Sequence, residues 1–536
     1  MSELVHDLIF DSARATPGAE ALVVGARRLD YAALAAAVRA AAGALLATGL
    51  ERGGRVAVYM EKNGEQVAAL FGAAAAGAVF VPINPLLKPE QVGHILADCG
   101  VRVLVTTADR LPALLATLAA CPTLAAVLLV NPKRTPLPVL PGVTVLDWDV
   151  ALDTALAAAS TTPVPHRVID ADVAAILYTS GSSGKPKGVV LSHRNLVAGA
   201  ASVTSYLENG PGDRLLAVLP LSFDYGLSQL TTAFRSGATV VLLNHLLPRD
   251  ILLAVAAERI TGLAGVPPLW QQLATLAWPA DCPLRYLTNS GGAMPGSVLA
   301  ALRTALPRAR PFLMYGLTEA FRSTYLPPEQ LDTRPDSIGQ AIPNAEVLVL
   351  RPDGTVCAAD EPGELVHRGA LVALGYWNDA AKTAERFRPL AVAHADGGLM
   401  LAEMAVWSGD TVRRDADGFL YFISRSDAMI KTSGYRVSPG EVEEVLYDRG
   451  HVAEAAALGV PHPTLGQAIV AVVSGRPQHD LTAAALLAAC KPHLPAYMLP
   501  QKIIVSADGL PRNPNGKIDR RLLGELYAGC FTEAVS

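Results

Sequence analysis

Short runs of Val, Leu and Ile alternate with Ala- and Leu-rich stretches at helical spacing through most of the chain. "RVAVYM" precedes "GEQVAALFGAAAAG", "AVFVPI" follows it, and "VRVLVTT" comes after another helix-like stretch. "DRLLAVLP", "ATVVLL" and "LRYLTNSG" continue the rhythm. Apolar runs of strand length, joined by helices, predict strands buried on both faces, hence a layered α/β architecture with mostly parallel sheets. The most apolar stretch, "VAALFGAAAAGAVFVPINP" from Val67, is short for a membrane span and contains Pro82. It reads as a buried helix running into a strand.

Near Gly409 the pattern changes. "SGDTVRRDADGFLYFISRSDAMIKTSGYRVSPGEVEEVL" has polar turns and two short hairpin-like strands. Ser438, Pro439 and Glu441 then have the spacing of a helix cap, a first-turn proline and a capping box. "EAAALGVP", "AIVAVVSG", a helix from about Thr482, and "KIIVSADGLPRNPNGKIDRRLL" complete a small α+β unit. With 536 residues the chain exceeds what one core supports. We expect a large N-terminal domain over 1–424 and a small, mobile C-terminal domain over 425–536, with the junction between Arg425 and Lys431. A proline-bearing linker is expected from Ser160.

Composition narrows the class. Hydrophobic residues are 51% and charged residues 17% of the chain, which indicates a folded globular protein. The net charge of −5 and the lack of a basic stripe give no footprint for nucleic acid. Neither a membrane span nor a secretory signal is expected. The six cysteines are scattered without CxxC spacing, so isolated thiols in a reducing cytoplasm are expected rather than structural zinc.

Candidate chemistry begins with "AILYTSGSSGKPKGVVLSH", Ala175–His193. Its spacing fits neither a Walker A loop nor a dinucleotide turn. The residue types are still those of a phosphate cradle between a strand and a helix-like stretch: glycines that let backbone N–H groups converge, hydroxyls, and Lys185 and Lys187. Ser192 suits a helix cap, and His193 a structural position.

"YTSGSSGKPKGVVLSH" resembles the phosphate loop of the adenylate-forming enzymes, which include acyl-CoA synthetases, nonribosomal peptide synthetase adenylation domains and luciferases. The other blocks of that superfamily follow in order: "NSGGAM" at Asn289–Met294, "YGLTEA" at Tyr315–Ala320, "SGDTV" at Ser408–Val412, "SRSDAMIKTSGYR" at Ser424–Arg436, and "NPNGKIDR" near the end. The resemblance implies an AMP-forming ligase that uses ATP and Mg²⁺. A carboxylate attacks the α-phosphate, pyrophosphate leaves, and a thiol then displaces AMP. Two anions must meet in the first step, so positive charge and positioning carry it.

By resemblance, Thr179, Ser180, Gly181, Ser182, Ser183, Gly184 and Lys187 hold the β- and γ-phosphates. Gly291, Gly292 and Ala293 flank adenine, Tyr315 stacks on it with Gly316 beside it in the ATP site, and Thr318 contacts the α-phosphate. Glu319 binds the metal, Asp410 with Arg425 takes the ribose, and Lys517 bridges carboxylate and α-phosphate. Asp427 is the implied hinge; Gly434 and Arg436 border the pantetheine tunnel.

Substrate preference is implied by "LPLSFDYGLSQL". Phe223-Asp224 stands where fatty and aryl ligases carry Phe-His and where amino-acid-activating domains carry an aspartate for the substrate ammonium. Arg322 as an internal partner of Asp224 is the competing reading. Tyr225, Ser228, Gly265, Thr288, Ser290, Met314, Arg322 and Ser323 are the implied pocket lining, and the bulk of Tyr225 and Met314 points to a small amino acid. The segments also look like stand-alone ligases serving carrier proteins in macrolactam, polyketide, peptide and exosortase-associated pathways, including antibiotic biosynthesis. Barely twenty residues follow Lys517, so an acyl or peptidyl carrier protein is expected in trans. The alternatives left open are an acyl-CoA ligase for a small organic acid using CoA, a luciferase-like oxygenation, and a non-catalytic nucleotide-binding regulator.

Overall fold

The computed structural model describes residues 3–131, 137–157, 165–179, 186–390, 403–425, 430–432, 435–448, 451–462, 465–476, 479, 481–494, 496–514 and 516–531. Among the described residues the strands form three sheets. The first has a parallel centre of Glu20–Val24, Thr239–Leu242, Arg214–Ala217, Gly262–Gly265, Tyr286–Asn289 and Arg310–Tyr315. From Arg310–Tyr315 outward it continues in antiparallel strands, among them Thr324–Leu326, Ser337–Ala341, Leu420–Arg425 and Glu403–Arg414.

The second sheet is parallel through Arg55–Tyr59, Val79–Pro82, Val103–Thr107, Ala126–Val130, Thr144–Asp147 and Val173–Thr179. Helices Tyr31–Ala47, Gly64–Ala75, His193–Leu207 and Asp224–Ser236 share one continuous apolar core with strands of both sheets. The third sheet uses only strands from Ile430 onward, with Gly466–Gly475 between Val452–His462 and Lys502–Ser506, and helices Pro439–Asp448 and Ala483–Cys490 against it. The fold class is therefore the expected one: a large α/β part with mostly parallel sheets and a smaller α+β part.

The apolar stretch from Val67 is helix Gly64–Ala75 leading into strand Val79–Pro82. No helix among the described residues is long and apolar enough to cross a membrane. Ser192 caps helix His193–Leu207, and His193 is buried with Nδ1 accepting the Val5 N–H.

One local expectation is corrected. The segment after the glycine loop does not open a helix: Lys187–Ser192 is a strand, antiparallel to Val173–Thr179, with Thr179 opposite Lys187. Its β-branched residues, Val189 and Val190, are buried, which suits a pleated sheet better than a helix. Helix Pro439–Asp448 begins directly after Ser438 with Pro439 in its first turn, as expected, and the Ser438 hydroxyl donates to the Ile423 carbonyl at 2.7 Å, tying the helix to strand Leu420–Arg425. The linker from Ser160 begins in residues outside those described.

Candidate active site

The crevice is built where strand ends of the first two sheets meet. Of the phosphate-loop residues, Ser180, Gly181, Ser182, Ser183 and Gly184 lie outside the described residues, as do Asp427 and Gly434. The side chains of Arg425 and Arg436 are likewise not described. The two ends of the loop are in place. Thr179 Oγ1 is buried and has no hydrogen-bond partner among the described residues. An unpaired buried hydroxyl is costly, so this atom is suited to an incoming acceptor.

Opposite it stands Lys187. Its ammonium lies 3.2 Å from Glu319 Oε1 and donates to the Tyr376 hydroxyl at 2.9 Å, while Tyr376 donates to the same Oε1 at 2.6 Å. Burial pushes the Glu319 carboxyl upward, but the charge of Lys187 and the Tyr376 hydroxyl outweigh this, and its pKa falls below the ordinary carboxylate value. Glu319 belongs to the short 3-10 turn Thr318–Ala320. Among the described residues no group of three or more His, Cys, Asp or Glu side chains could hold a metal. One carboxylate beside a triphosphate still fits Mg²⁺, which takes few protein ligands and completes its shell with phosphate oxygens and water.

After this turn Phe321 adopts a φ of 56°, uncommon for a bulky residue. Its ring fits against Gly199, where a Cβ would come within 2.5 Å of it. The strained turn aims Arg322 inward. Arg322 Nη1 meets Asp224 Oδ2 at 2.8 Å, and the guanidinium lies 4.5 Å from the centre of the Tyr225 ring. Thr318 Oγ1 donates to Asp224 Oδ1 at 3.2 Å. Both charged side chains are almost fully buried, at 2% and 5% exposure. Asp224 thus has the internal partner that competed with the ammonium reading. Arg322 Nε and Nη2 have no partner among the described residues.

Beyond the pair, Tyr225 and Thr288 close the pocket through a 2.5 Å hydroxyl contact. Tyr225, Ser228, Thr288, Met314 and Arg322 line a small cavity of about 10 Å³, room for no more than a water. The Tyr206 hydroxyl donates to the Met314 sulfur, and Ser323 Oγ is 3.0 Å from His367 Nδ1. Gly265 lies against the Trp270 ring, and Ser290 is buried at the end of strand Tyr286–Asn289.

At the mouth, Gly291 has a φ of +83°, and Asn289 Nδ2 holds the Gly292 carbonyl at 2.9 Å. A Cβ on Gly291 would lie 3.9 Å from both Phe223 Cζ and Lys517 Cε. The lysine loop is anchored to the large domain by Asn84 Nδ2 donating to the Pro514 carbonyl at 3.0 Å. Tyr315 donates its hydroxyl to Asp410, which faces Arg425 across the strand pair. Gly316 packs on the Arg322 backbone, and Ala293 continues the Gly291–Gly292 turn. Tyr376 was missed by sequence reasoning. "GYW" carries no periodicity signal, and its role appears only when its two-residue strand pairs with Val189 and Val190.

A cationic loop exit, an acidic turn and a lysine from a second unit brought to one crevice are the features of an adenylate-forming class. Residues 9–377 match the AMP-binding enzyme family, and residues 441–517 match the AMP-binding enzyme C-terminal domain. The chain belongs to this family and is an AMP-forming ligase. It is 33% identical to an L-proline--[L-prolyl-carrier protein] ligase of Streptomyces coelicolor, covering 94% of this chain and 92% of that protein. It is 29% identical to a linear gramicidin synthase from Brevibacillus parabrevis over 99% of this chain, but spans only 10% of that protein. Among solved structures it is similar to ATP-bound MatB from Rhodopseudomonas palustris, with a TM-score of 0.84, 26% identity, and coverage of 99% of this chain and 100% of that one.

Proposed function

We propose that the protein activates a small amino acid as its aminoacyl-AMP and transfers the acyl group to the phosphopantetheine thiol of a carrier protein. The observation that carries this reading is convergence: Lys517 Cε and Phe223 Cζ, the latter next to Asp224 in sequence, each lie 3.9 Å from where a Cβ on Gly291 would stand. In the first step a carboxylate oxygen bonds to the α-phosphorus, the bond to the β-phosphate oxygen breaks, and pyrophosphate leaves. Lys517 offsets the repulsion between the two anions, Lys187 and Thr179 receive the outer phosphates, and Thr318 contacts the α-phosphate. Mg²⁺ at Glu319 would neutralise further phosphate charge. In the second step the thiol displaces AMP.

The buried Asp224–Arg322 pair makes the acyl pocket dipolar. Asp224 retains acceptor capacity beyond its bond to Arg322, because an ionised carboxylate has about four lone-pair sites. A purely aliphatic tail would gain nothing there, and a zwitterion would find both signs. The closed Tyr225–Thr288 end limits the side chain to a small one. Supporting the same reading, the Streptomyces coelicolor relative bears the name of an amino-acid–carrier protein ligase. A rotation of domain 425–536 about Asp427 between the steps, with Gly434 and Arg436 toward the thiol, and service in peptide or polyketide assembly belong to the same proposal.

Pyrophosphate exchange across amino acids, small organic acids and fatty acids tests it, followed by mass measurement of a holo-carrier and of CoA as acceptors. The reading expects exchange with a small amino acid and acyl transfer to the carrier. Exchange confined to organic acids, with CoA as the acceptor, would favour the alternative reading of an acyl-CoA ligase.

A further inference from the structure

One hydroxyl in the crevice has no part in the chemistry above. Tyr376 lies in the two-residue strand Gly375–Tyr376, paired antiparallel with Val189 and Val190 on the strand that begins at Lys187. The same segment is pinned to the acidic turn by Ala373 N–H donating to the Glu319 carbonyl at 2.8 Å, and to the loop exit by Trp377 N–H donating to the Gly188 carbonyl at 2.8 Å. Tyr376 is therefore fixed by backbone to both halves of the phosphate end. Its side chain is almost fully buried. The ring lies 4.1 Å from the Lys187 ammonium, and the hydroxyl accepts from Lys187 while donating to Glu319 Oε1. One hydroxyl can do both, since it has one proton and two lone pairs.

Without nucleotide, the Lys187 and Glu319 charges neutralise each other. Each must change partner for the expected chemistry: Lys187 toward a phosphate, Glu319 toward a cation. A carboxylate released from its lysine would swing freely unless something else held it. We infer that Tyr376 is a positioning residue for Mg²⁺–ATP, whose hydroxyl keeps Glu319 oriented while Lys187 exchanges the carboxylate for phosphate. This rests on the assignment of Lys187 and Glu319 to the phosphate and metal side of the crevice. The ring supplies the second half of the device. Cation–π attraction keeps the ammonium near the loop exit after its ion pair opens.

The test is Tyr376→Phe, which keeps the ring and removes the hydroxyl. Calorimetric affinity for Mg²⁺–ATP, with no acid present, should fall about tenfold, the size expected for one charge-assisted hydrogen bond. The magnesium concentration at half-maximal exchange should rise by a similar factor, with the amino-acid KM unchanged at saturating nucleotide. In a Glu319→Gln background the same substitution should change nucleotide affinity by less than about twofold, because coupled residues are not additive. Tyr376→Leu, which also loses the ring, should weaken nucleotide binding further.

Unchanged affinity and magnesium dependence in Tyr376→Phe would overturn the inference while leaving the proposed activity standing. So would an equal loss in the Glu319→Gln background, or a rise in amino-acid KM as large as that for ATP. A wild-type protein that binds no Mg²⁺–ATP would overturn both. Should Tyr376→Phe be poorly folded, the affinity of wild type measured against Glu319→Gln and Lys187→Met decides. Equal Mg²⁺ dependence in all three would remove the partner exchange on which the role depends.

Discussion

Among the described residues, the acyl end and the phosphate end of the crevice each hold an ion pair, and the two are built differently. At the acyl end Asp224 and Arg322 are 5% and 2% exposed, joined at 2.8 Å, and backed by a closed Tyr225–Thr288 wall. At the phosphate end Lys187 and Glu319 are 26% and 15% exposed and 3.2 Å apart, and share a third partner, Tyr376. The first pair cannot open without leaving a charge in a low-dielectric interior, and breaking such a pair costs about 3–5 kcal/mol. The second lies partly in water, where a pair is held weakly and each ion has somewhere to go. A fixed pair suits a wall that shapes substrate choice. An exchangeable one suits a place where phosphates and a metal arrive and leave.

The largest expected effect comes from breaking the closed pair. Arg322→Leu strands Asp224 and should lower stability by about 3–5 kcal/mol in denaturant titration. Lys187→Met should cost much less stability, while abolishing tight nucleotide binding. A similar loss of stability for both would erase the distinction between the two ends.

Acid should act on the buried frame. Burial holds His193 and His367 down to about 4, and His367 sits beside Ser323 of the pocket wall. Their folded values lie below the ordinary 6.5, so the unfolded chain takes up protons first as pH falls. Their contribution to stability is complete above about pH 6.5 and is lost as pH drops toward 4. The loss is about 3 kcal/mol apiece at the low end. Melting temperature measured from pH 7.5 to 4.5 should fall steadily, and a flat profile would contradict the buried neutral state of both rings.

Asp224→Asn keeps the shape of the acyl end but removes its negative charge, which also leaves Arg322 buried without its counter-charge and lowers stability. The amino-acid KM should rise about tenfold, the loss of one charge-assisted hydrogen bond, with ATP KM little changed. An unchanged amino-acid KM would make Arg322 the sole business of Asp224. Thr179→Val is the smallest change. It removes an unpaired buried hydroxyl, so stability should hold or rise by up to about 1 kcal/mol while ATP KM rises severalfold. A loss of stability would show that this hydroxyl is already satisfied in the free protein.

Much of this was legible in the sequence because strand runs and family blocks are local signals. The parallel strands from "RVAVYM" to "LRYLTNSG" fall where the apolar runs place them. What the sequence hid depends on partners far along the chain. "GVVLSH" looked like the approach to a helix, but pairing with Val173–Thr179 makes most of it a strand. Asp224 could be read as awaiting an ammonium until the strained turn at Phe321 delivered Arg322 from 98 positions away. Tyr376 gave no signal, because its role comes from two backbone pairings rather than from its neighbours in sequence.

The central claim is that Lys517 makes the meeting of two anions possible in the crevice it shares with Gly291 and Phe223. Amino-acid-dependent pyrophosphate exchange by Lys517→Ala beside the wild type tests it most directly. The exposed position of this lysine makes a folding defect from the substitution easy to detect by melting temperature. The account predicts an exchange rate at least about 100-fold lower, the scale of a lost electrostatic contact to the reacting atoms, with an unchanged melting temperature. Transfer from supplied aminoacyl-AMP to the carrier should persist. Wild-type exchange by the variant would contradict it.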